Sequence, residues 1–168
     1  MIALLIMIIS LILDGLLSNY LPYLVNDLSI YTPLFTLISI FIIYPLYRKK
    51  EKLYFIHIFS LGILYDLLYT NLLFFNGVLF IIIGLVIKYI VKNYELGFIK
   101  IILYMIIIIT LYESLTVLFL VIYNVVPVSF PQLIYKISHS LILNIIYGEI
   151  MFLILKIIPK KYKEISIN

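Results

Sequence analysis

Six apolar segments, separated by short polar or proline-containing breaks, make up almost the whole chain. They cover residues 2–20, 31–47, 53–70, 74–91, 98–123 and 132–157. A helix needs about 20 residues to cross a hydrocarbon core of about 30 Å, so we interpret each segment as a membrane span. The breaks include YRKKEK, a run of charges, and YNVVPVSFPQ, whose prolines cannot continue a helix. The pattern predicts an all-α, polytopic membrane protein with a single domain of six transmembrane helices.

Two of the segments need further argument. The first, MIALLIMIISLILDGLL, lacks the basic start and the small-residue cleavage site of a signal peptide. We therefore expect it to remain in the mature protein as the first membrane helix. The fourth segment is the hardest to delimit, because the break before it, TNLLFFNG, is itself largely apolar.

The composition of the chain excludes a soluble domain. Of its 168 residues, 65% are hydrophobic and 12% are charged, and the mean hydropathy is +1.24. A soluble domain is roughly half apolar and about a quarter charged. The chain contains no cysteine, which excludes a disulfide framework and a thiolate metal site.

Lysine and arginine predict the orientation, because cytoplasmic loops carry the excess of these residues. With both termini inside, eleven of the twelve basic residues fall at the cytoplasmic side and Lys136 alone falls outside. The eleven are Arg48, Lys49, Lys50, Lys52, Lys88, Lys92, Lys100, Lys156, Lys160, Lys161 and Lys163. We therefore expect a multi-pass protein of the cytoplasmic (inner) membrane with both termini cytoplasmic. The net charge of +4 then indicates contact with anionic lipids rather than with nucleic acid.

Four carboxylates fall inside the predicted spans, namely Asp14, Asp66, Glu113 and Glu149. A charge at the membrane centre costs from about 3 to more than about 10 kcal/mol, so such residues usually face the bundle interior, pair with a partner or mark a site. The first three come late in outward-running segments, which predicts that they lie in the outer half. The nearest cations there are Lys136 and His139, and protonation of one or more carboxylates is the alternative.

Small and polar residues recur at helical spacing around these carboxylates, so each set occupies one helix face. The sets are Ala3, Met7, Ser10, Asp14 and Ser18; Gly62, Asp66 and Thr70; Thr110, Glu113 and Thr116; and Lys136, Ser140, Asn144 and Gly148. Such faces let membrane helices approach and hydrogen-bond. Three interpretations stay open: a structural polar core, a ligand pocket or proton path, and a partner-binding surface. For Asp66 we expect Gly62 to admit a neighbouring helix whose Lys136, Ser140 or Asn144 contacts the carboxylate.

The stretch FSLGILYDLLYTNLLFFNGVLFIIIGLVIKYI resembles the signature of the MreD family of rod shape-determining membrane proteins. That family has a Gly-x-x-x-Asp step on its third helix, followed by a turn with glycine and an apolar helix, and Gly62, Asp66 and Gly77 match these positions. The segment LPYLVNDLSIYTPLF also fits, with a proline after helix one and another opening helix two. The chain departs from the family at FFNG, where many members have proline or leucine before the glycine.

The resemblance implies a non-enzymatic scaffold of lateral cell-wall synthesis, with no cofactor. Its partners would be MreC and, through the complex, the actin-like MreB, the glycosyltransferase RodA and a class B penicillin-binding protein. The implied fold is similar to the S components of energy-coupling-factor transporters. The residues expected to form a structural and partner-binding polar core are Asp14, Gly62, Asp66, Gly77, Glu113, Lys136, Ser140, Asn144 and Glu149. We also expect lipid-exposed grooves rich in Ile, Leu and Phe to receive the membrane helix of MreC or of a wall synthase.

Enzymatic alternatives lack their motifs. The sequence has no Gly-x-Ser-x-Gly, no partner motif of intramembrane aspartyl proteases and no His-x-x-x-His metal spacing. His57 lies nine residues before Asp66, on the opposite side of the same predicted helix. The main rival is the substrate-binding S component of an energy-coupling-factor-type transporter. Those proteins usually carry an Ala-x-x-x-Ala docking motif, which this chain lacks because Ala3 is its only alanine.

Overall fold

The computed structural model describes residues 2–25, 32–70, 72–91, 97–123 and 130–157, with side chains up to Tyr20 in the first range. Every regular element in these ranges is helical, which confirms the all-α prediction. The helices are α1 (Ile2–Val25), α2 (Phe35–Ile43, extended by a 3-10 turn at Tyr44–Tyr47), α3 (Glu51–Tyr69), α4 (Phe75–Val91), α5 (Phe98–Ile122) and α6 (Phe130–Ile157).

The helix bounds differ most clearly from the predicted segments at three places. Helix α6 begins at Phe130 and includes Pro131, which the sequence pattern places in a break; proline fits in the first turn of a helix, where its missing N–H has no intrahelical partner. Helix α1 continues to Val25, through Pro22, which we had interpreted as part of a break. Helix α2 tightens into a 3-10 turn at Tyr44, whose N–H bonds to Phe41 O. Proline has no N–H to continue the α-helical ladder, and Pro45 stands in this turn. Prolines are tolerated in membrane helices where neighbouring groups satisfy the backbone.

Helix α2 lies at the centre of the bundle. All residues from Phe35 to Ile43 are buried, and the helix packs against α1, α4, α5 and α6. A helix that is hydrophobic all round belongs in such an interior position. The antiparallel pairs α3–α4 and α5–α6 complete the bundle around it.

Four helices in the described ranges are long and apolar enough to cross a membrane: residues Ile2–Tyr20 of α1, and α3, α5 and α6. The other two, Phe35–Tyr47 and Phe75–Val91, are apolar but shorter. Large apolar side chains also remain exposed along the outside of the bundle, including Leu5, Leu67 and Ile142. Together these features indicate a membrane protein.

The two ends of the bundle differ in their polar groups. At the end where α1, α3 and α5 finish and α2, α4 and α6 begin, the carboxylates Asp14, Asp66 and Glu113 are buried; we call this the carboxylate end. At the opposite, basic end, Lys88 pairs with Glu51 at 2.6 Å. Of the basic positions that predict orientation, Lys92, Lys160, Lys161 and Lys163 lie outside the described residues.

Candidate functional site

Asp14 caps the first turn of α2 from a neighbouring helix. Its Oδ1 accepts the N–H of Phe35 at 2.6 Å and its Oδ2 accepts the N–H of Thr36 at 2.9 Å. Leu34, at the N-cap position of α2, provides no side-chain cap of its own. Orphan N–H groups at a helix start need such a partner, and the negative charge also complements the helix dipole. The buried carboxylate of α1 therefore fixes where the central helix begins.

Asn144 of α6 fastens the segment that precedes α2. Its Oδ1 accepts the N–H of Leu34 at 2.7 Å, and its Nδ2 donates to Thr32 O at 2.9 Å and to Ser140 O at 2.7 Å. The hydroxyl of Ser140 bonds to Ile137 O on its own helix. Within the predicted polar stripe on α6, Asn144 is thus the residue that binds the backbone before α2.

Asp66 caps the first turn of α4 in the same way. The prediction that Lys136, Ser140 or Asn144 of the sixth helix contacts this carboxylate is therefore wrong. The Asp66 carboxylate accepts the N–H of Asn76 at 2.9 Å, the Nδ2 of Asn76 at 2.7 Å and the Oγ1 of Thr70 at 2.9 Å. Spacing along α3 identifies the face that carries Asp66 but not the helix that covers it. That face packs against α4, the sequence neighbour, so α4 provides the donors.

Gly62 and Gly77 allow this approach of α3 and α4. A Cβ added at Gly62 would lie 2.5 Å from the Cα of Gly77 and 2.7 Å from the carbonyl carbon of Asn76. Small residues are enriched where membrane helices make such close contacts. The close neighbour expected at Gly62 is therefore α4, one turn along α3 from the Asp66 cap.

The turn before α4 contains an uncommon backbone conformation. Phe74 has φ of 67°, in the left-handed region that non-glycine residues rarely adopt. This is the FFNG segment at which the chain departs from the MreD pattern. The hydrogen bonds from Asn76 to Asp66 hold α4 immediately after this turn, so the cap compensates for the strained residue.

Asn76 and Tyr112 belong to the site although the sequence did not single them out as site residues. The hydroxyl of Tyr112 on α5 donates to Oδ1 of Asn76 at 2.7 Å, which extends the polar contacts of Asp66 from α3 and α4 to α5. Asn76 looked like an ordinary turn residue, and Tyr112 was one of 16 tyrosines. A polar side chain at the first turn of an apolar helix was the available signal.

Glu113 and Lys136 form an ion pair between α5 and α6. The Nζ of Lys136 lies 2.7 Å from Oε2 of Glu113, whose side chain is 1% exposed, while that of Lys136 is 39% exposed. His139, the other predicted cation, instead contacts Tyr135 O and the Ser138 hydroxyl on its own helix. Lys136 therefore balances one carboxylate of the three.

Glu149 does not join the other predicted residues. It is half-buried on α6, and its carboxylate receives no hydrogen bond from the described residues. Its neighbour Gly148 is buried where α6 meets α5 and α2. A Cβ added at Gly148 would overlap the Sδ of Met105 on α5 and approach Ile38 on α2. Glu149 is thus separate from the carboxylate cluster.

A polar cavity of about 520 Å³ opens between the capped helix starts. Its walls include Asp14, Asn76, Glu113 and Lys136 together with three tyrosine side chains, Tyr65, Tyr69 and Tyr112. Within the described ranges, no group of three or more His, Asp or Glu side chains is arranged to hold a metal ion. The cavity thus combines hydrogen-bonding, charged and aromatic groups.

An apolar groove of about 690 Å³ runs beside this cavity, between α4 and α5. It is lined by Leu72, Leu73, Phe74, Phe75, Val78, Leu79, Ile82, Leu115, Leu118, Phe119 and Ile122.

Comparisons of the chain with models of protein families, with curated proteins and with solved structures give no match.

Proposed function

We propose that the chain is an MreD-like, non-enzymatic membrane scaffold that maintains rod shape in bacterial lateral cell-wall synthesis. It would bind MreC and, through that complex, MreB, RodA and a class B penicillin-binding protein. One observation carries the proposal. All three residues of the MreD-like signature lie where α3 packs on α4: Gly62 approaches the backbone of Gly77, and Asp66 accepts hydrogen bonds from Asn76, the residue before Gly77. A signature whose members meet in one place is what a fold-defining motif of a scaffold requires.

The proposal includes six membrane spans in the cytoplasmic membrane. Helix α2 with its 3-10 turn is only about 22 Å long, which is shorter than a hydrocarbon core of about 30 Å. Residues 32–34 lead into it without helical structure, and Asp14 and Asn144 satisfy backbone groups of residues 32–36. Non-helical backbone is tolerated at membrane depth where protein groups enclose it. This arrangement supports α2 as a complete span.

Cysteine labelling tests the orientation, because the natural chain has no cysteine to remove. With both termini cytoplasmic, Lys163→Cys should react with an impermeant maleimide only after the cells are opened. Leu73→Cys, in the turn between α3 and α4, should react in intact cells and serves as the control. Labelling of Lys163→Cys from outside would overturn the orientation.

We assign the groove between α4 and α5 to the single membrane helix of MreC. The groove has a volume of about 690 Å³, is lined by apolar residues, and adjoins the signature contact through Phe75. A photocrosslinker at Leu118, 55% exposed in the groove, should capture MreC. Ile142, 62% exposed on α6, is the matched control and should not. Equal capture at both positions would reject this docking face.

Co-purification tests the scaffold role itself. The tagged chain, extracted from its own membranes in mild detergent, should retain MreC in a defined ratio. Asp66→Ala should lose MreC in proportion to its loss of folded protein. Recovery of well-folded chain without any wall-synthesis protein would contradict the scaffold role.

The polar cavity favours a second candidate, the substrate-binding S component of an energy-coupling-factor-type transporter. A cavity of about 520 Å³ falls within the usual size range of small-molecule sites. A tightly bound small molecule together with a transporter ATPase in the purified complex would favour this candidate. MreC in that complex would favour the scaffold.

A further inference from the structure

Glu113 differs from the other two buried carboxylates of the carboxylate end. Both oxygens of Asp14 and both oxygens of Asp66 accept hydrogen bonds from helix starts. Glu113 has only the ion pair from Lys136 to Oε2, and no hydrogen-bond donor in the described part of the chain contacts Oε1. A buried charged acceptor without a donor is costly. All carboxylate oxygens of Asp14 and Asp66 are thus used in capping a helix, whereas Oε1 of Glu113 remains available to accept a hydrogen bond.

The unpaired oxygen belongs to a side chain that lines the polar cavity. The side chain is 1% exposed, so lipid and bulk water do not satisfy it. Among the described residues lining the cavity, Asp14 and Glu113 carry negative charge and Lys136 carries positive charge. The N–H groups at the start of α2 occupy both oxygens of Asp14, and Lys136 balances the charge of Glu113 at Oε2. Oε1 of Glu113 is therefore the acceptor at which a further N–H donor is favoured.

The remaining walls suit an organic cation better than a bare ion. The side chains of Tyr65, Tyr69 and Tyr112 line the cavity, and tyrosine faces attract ammonium groups. A volume of about 520 Å³ is far larger than a single ion occupies. Lys136 has three N–H donors, so it can keep Glu113 and bind an anionic group as well. Its 39% exposure places that second function at the cavity rim.

We propose that this cavity binds a small zwitterion, with a primary ammonium group at Oε1 of Glu113 and a phosphate or carboxylate at Lys136. The same chemistry occurs in a phosphatidylethanolamine head group and in soluble amino-phosphates. The proposal is independent of the scaffold role, because it concerns only the purified chain and its cavity.

Binding is measured on the full chain in lipid nanodiscs. One arm uses discs of phosphatidylglycerol with added phosphatidylethanolamine or phosphatidylcholine, and native mass spectrometry counts the lipids that remain bound. The other arm titrates O-phosphoethanolamine into discs of phosphatidylglycerol alone. We expect the ethanolamine lipid to be retained over the choline lipid, because the trimethylated ammonium has no N–H for Oε1. Binding of O-phosphoethanolamine as well would indicate a soluble ligand, and its absence a lipid ligand.

Variants show whether Glu113 carries the binding. Glu113→Gln should weaken it by about 10- to 100-fold, the effect of a hydrogen bond to a charged group. Glu149→Gln, which alters a carboxylate outside the cavity, should bind like the natural chain. If Glu113→Gln does not fold, Lys136→Gln at the rim provides the second test and should also weaken binding. The proposal would be overturned if the ethanolamine lipid were not retained over the choline lipid and O-phosphoethanolamine did not bind, or if a folded Glu113→Gln bound unchanged.

Discussion

Removal of the Asp66 carboxylate should be the most damaging polar change in the bundle. Asp66→Ala leaves the N–H and the Nδ2 of Asn76 without their acceptor, whereas Thr70 can still bond to the backbone O of residue 66. Each unsatisfied buried donor costs about 1–3 kcal/mol, and the lost charge at the start of α4 adds about 0.3–2 kcal/mol. Loss of the carboxylate's own desolvation cost offsets part of this. From two unsatisfied donors and the lost charge, less that offset, we expect a net loss of about 3–5 kcal/mol in the free energy of unfolding.

Asp66→Asn separates hydrogen bonding from charge. The amide keeps one oxygen for the Nδ2 of Asn76 but turns its NH2 toward the N–H of Asn76, so one bond is lost. We expect a loss of about 1–2 kcal/mol. SDS-driven unfolding in mixed micelles, followed by circular dichroism, measures both variants, and Glu149→Ala is the control with a loss below about 1 kcal/mol. Asp66→Ala within about 1 kcal/mol of the natural chain would refute the capping role.

Three further changes follow from the same contacts. Gly62→Ala should lower the free energy of unfolding by about 1–3 kcal/mol, because its Cβ would meet the backbone of α4. Gly97→Ala is the control: no atom lies within 4 Å of the added Cβ, so the free energy of unfolding should not change in the same assay. Phe74→Gly should retain or raise the thermal stability, because glycine adopts positive φ freely. Phe74→Val should lower the thermal stability, because a β-branched residue rarely adopts positive φ. A Val variant more stable than the Gly variant would contradict the left-handed conformation at residue 74. Asp14→Ala should lower the melting temperature more than Asp14→Asn, because the amide keeps one acceptor for the N–H groups of Phe35 and Thr36. Size-exclusion chromatography after heating measures both variants, and equal melting temperatures would argue against hydrogen bonding as the role of Asp14.

The sequence predicted the helices and their inward faces better than it predicted the contacts between them. Hydropathy alone located the six helices that the described ranges contain, and the spacing of Gly62 and Asp66 indicated an inward face with room for a neighbour. Which helix fills that room depends on the packing of the whole bundle, so α6 was the wrong choice and α4 the right one. The left-handed turn at Phe74 depends equally on context, because the cap at Asp66 is what makes the strain tolerable.

The pairing of each cap with the helix that follows it has a consequence for biogenesis. Chains leave the ribosome from the N-terminus, so Asp14 enters the membrane before α2 exists, and Asp66 enters before α4. Each helical hairpin therefore arrives with the acceptor for its second member already in position, and it can close without waiting for later segments. Asn144 arrives with the last helix and bonds to residues 32 and 34. The hydrogen bonds before the central helix are therefore complete only when translation of the bundle is nearly finished.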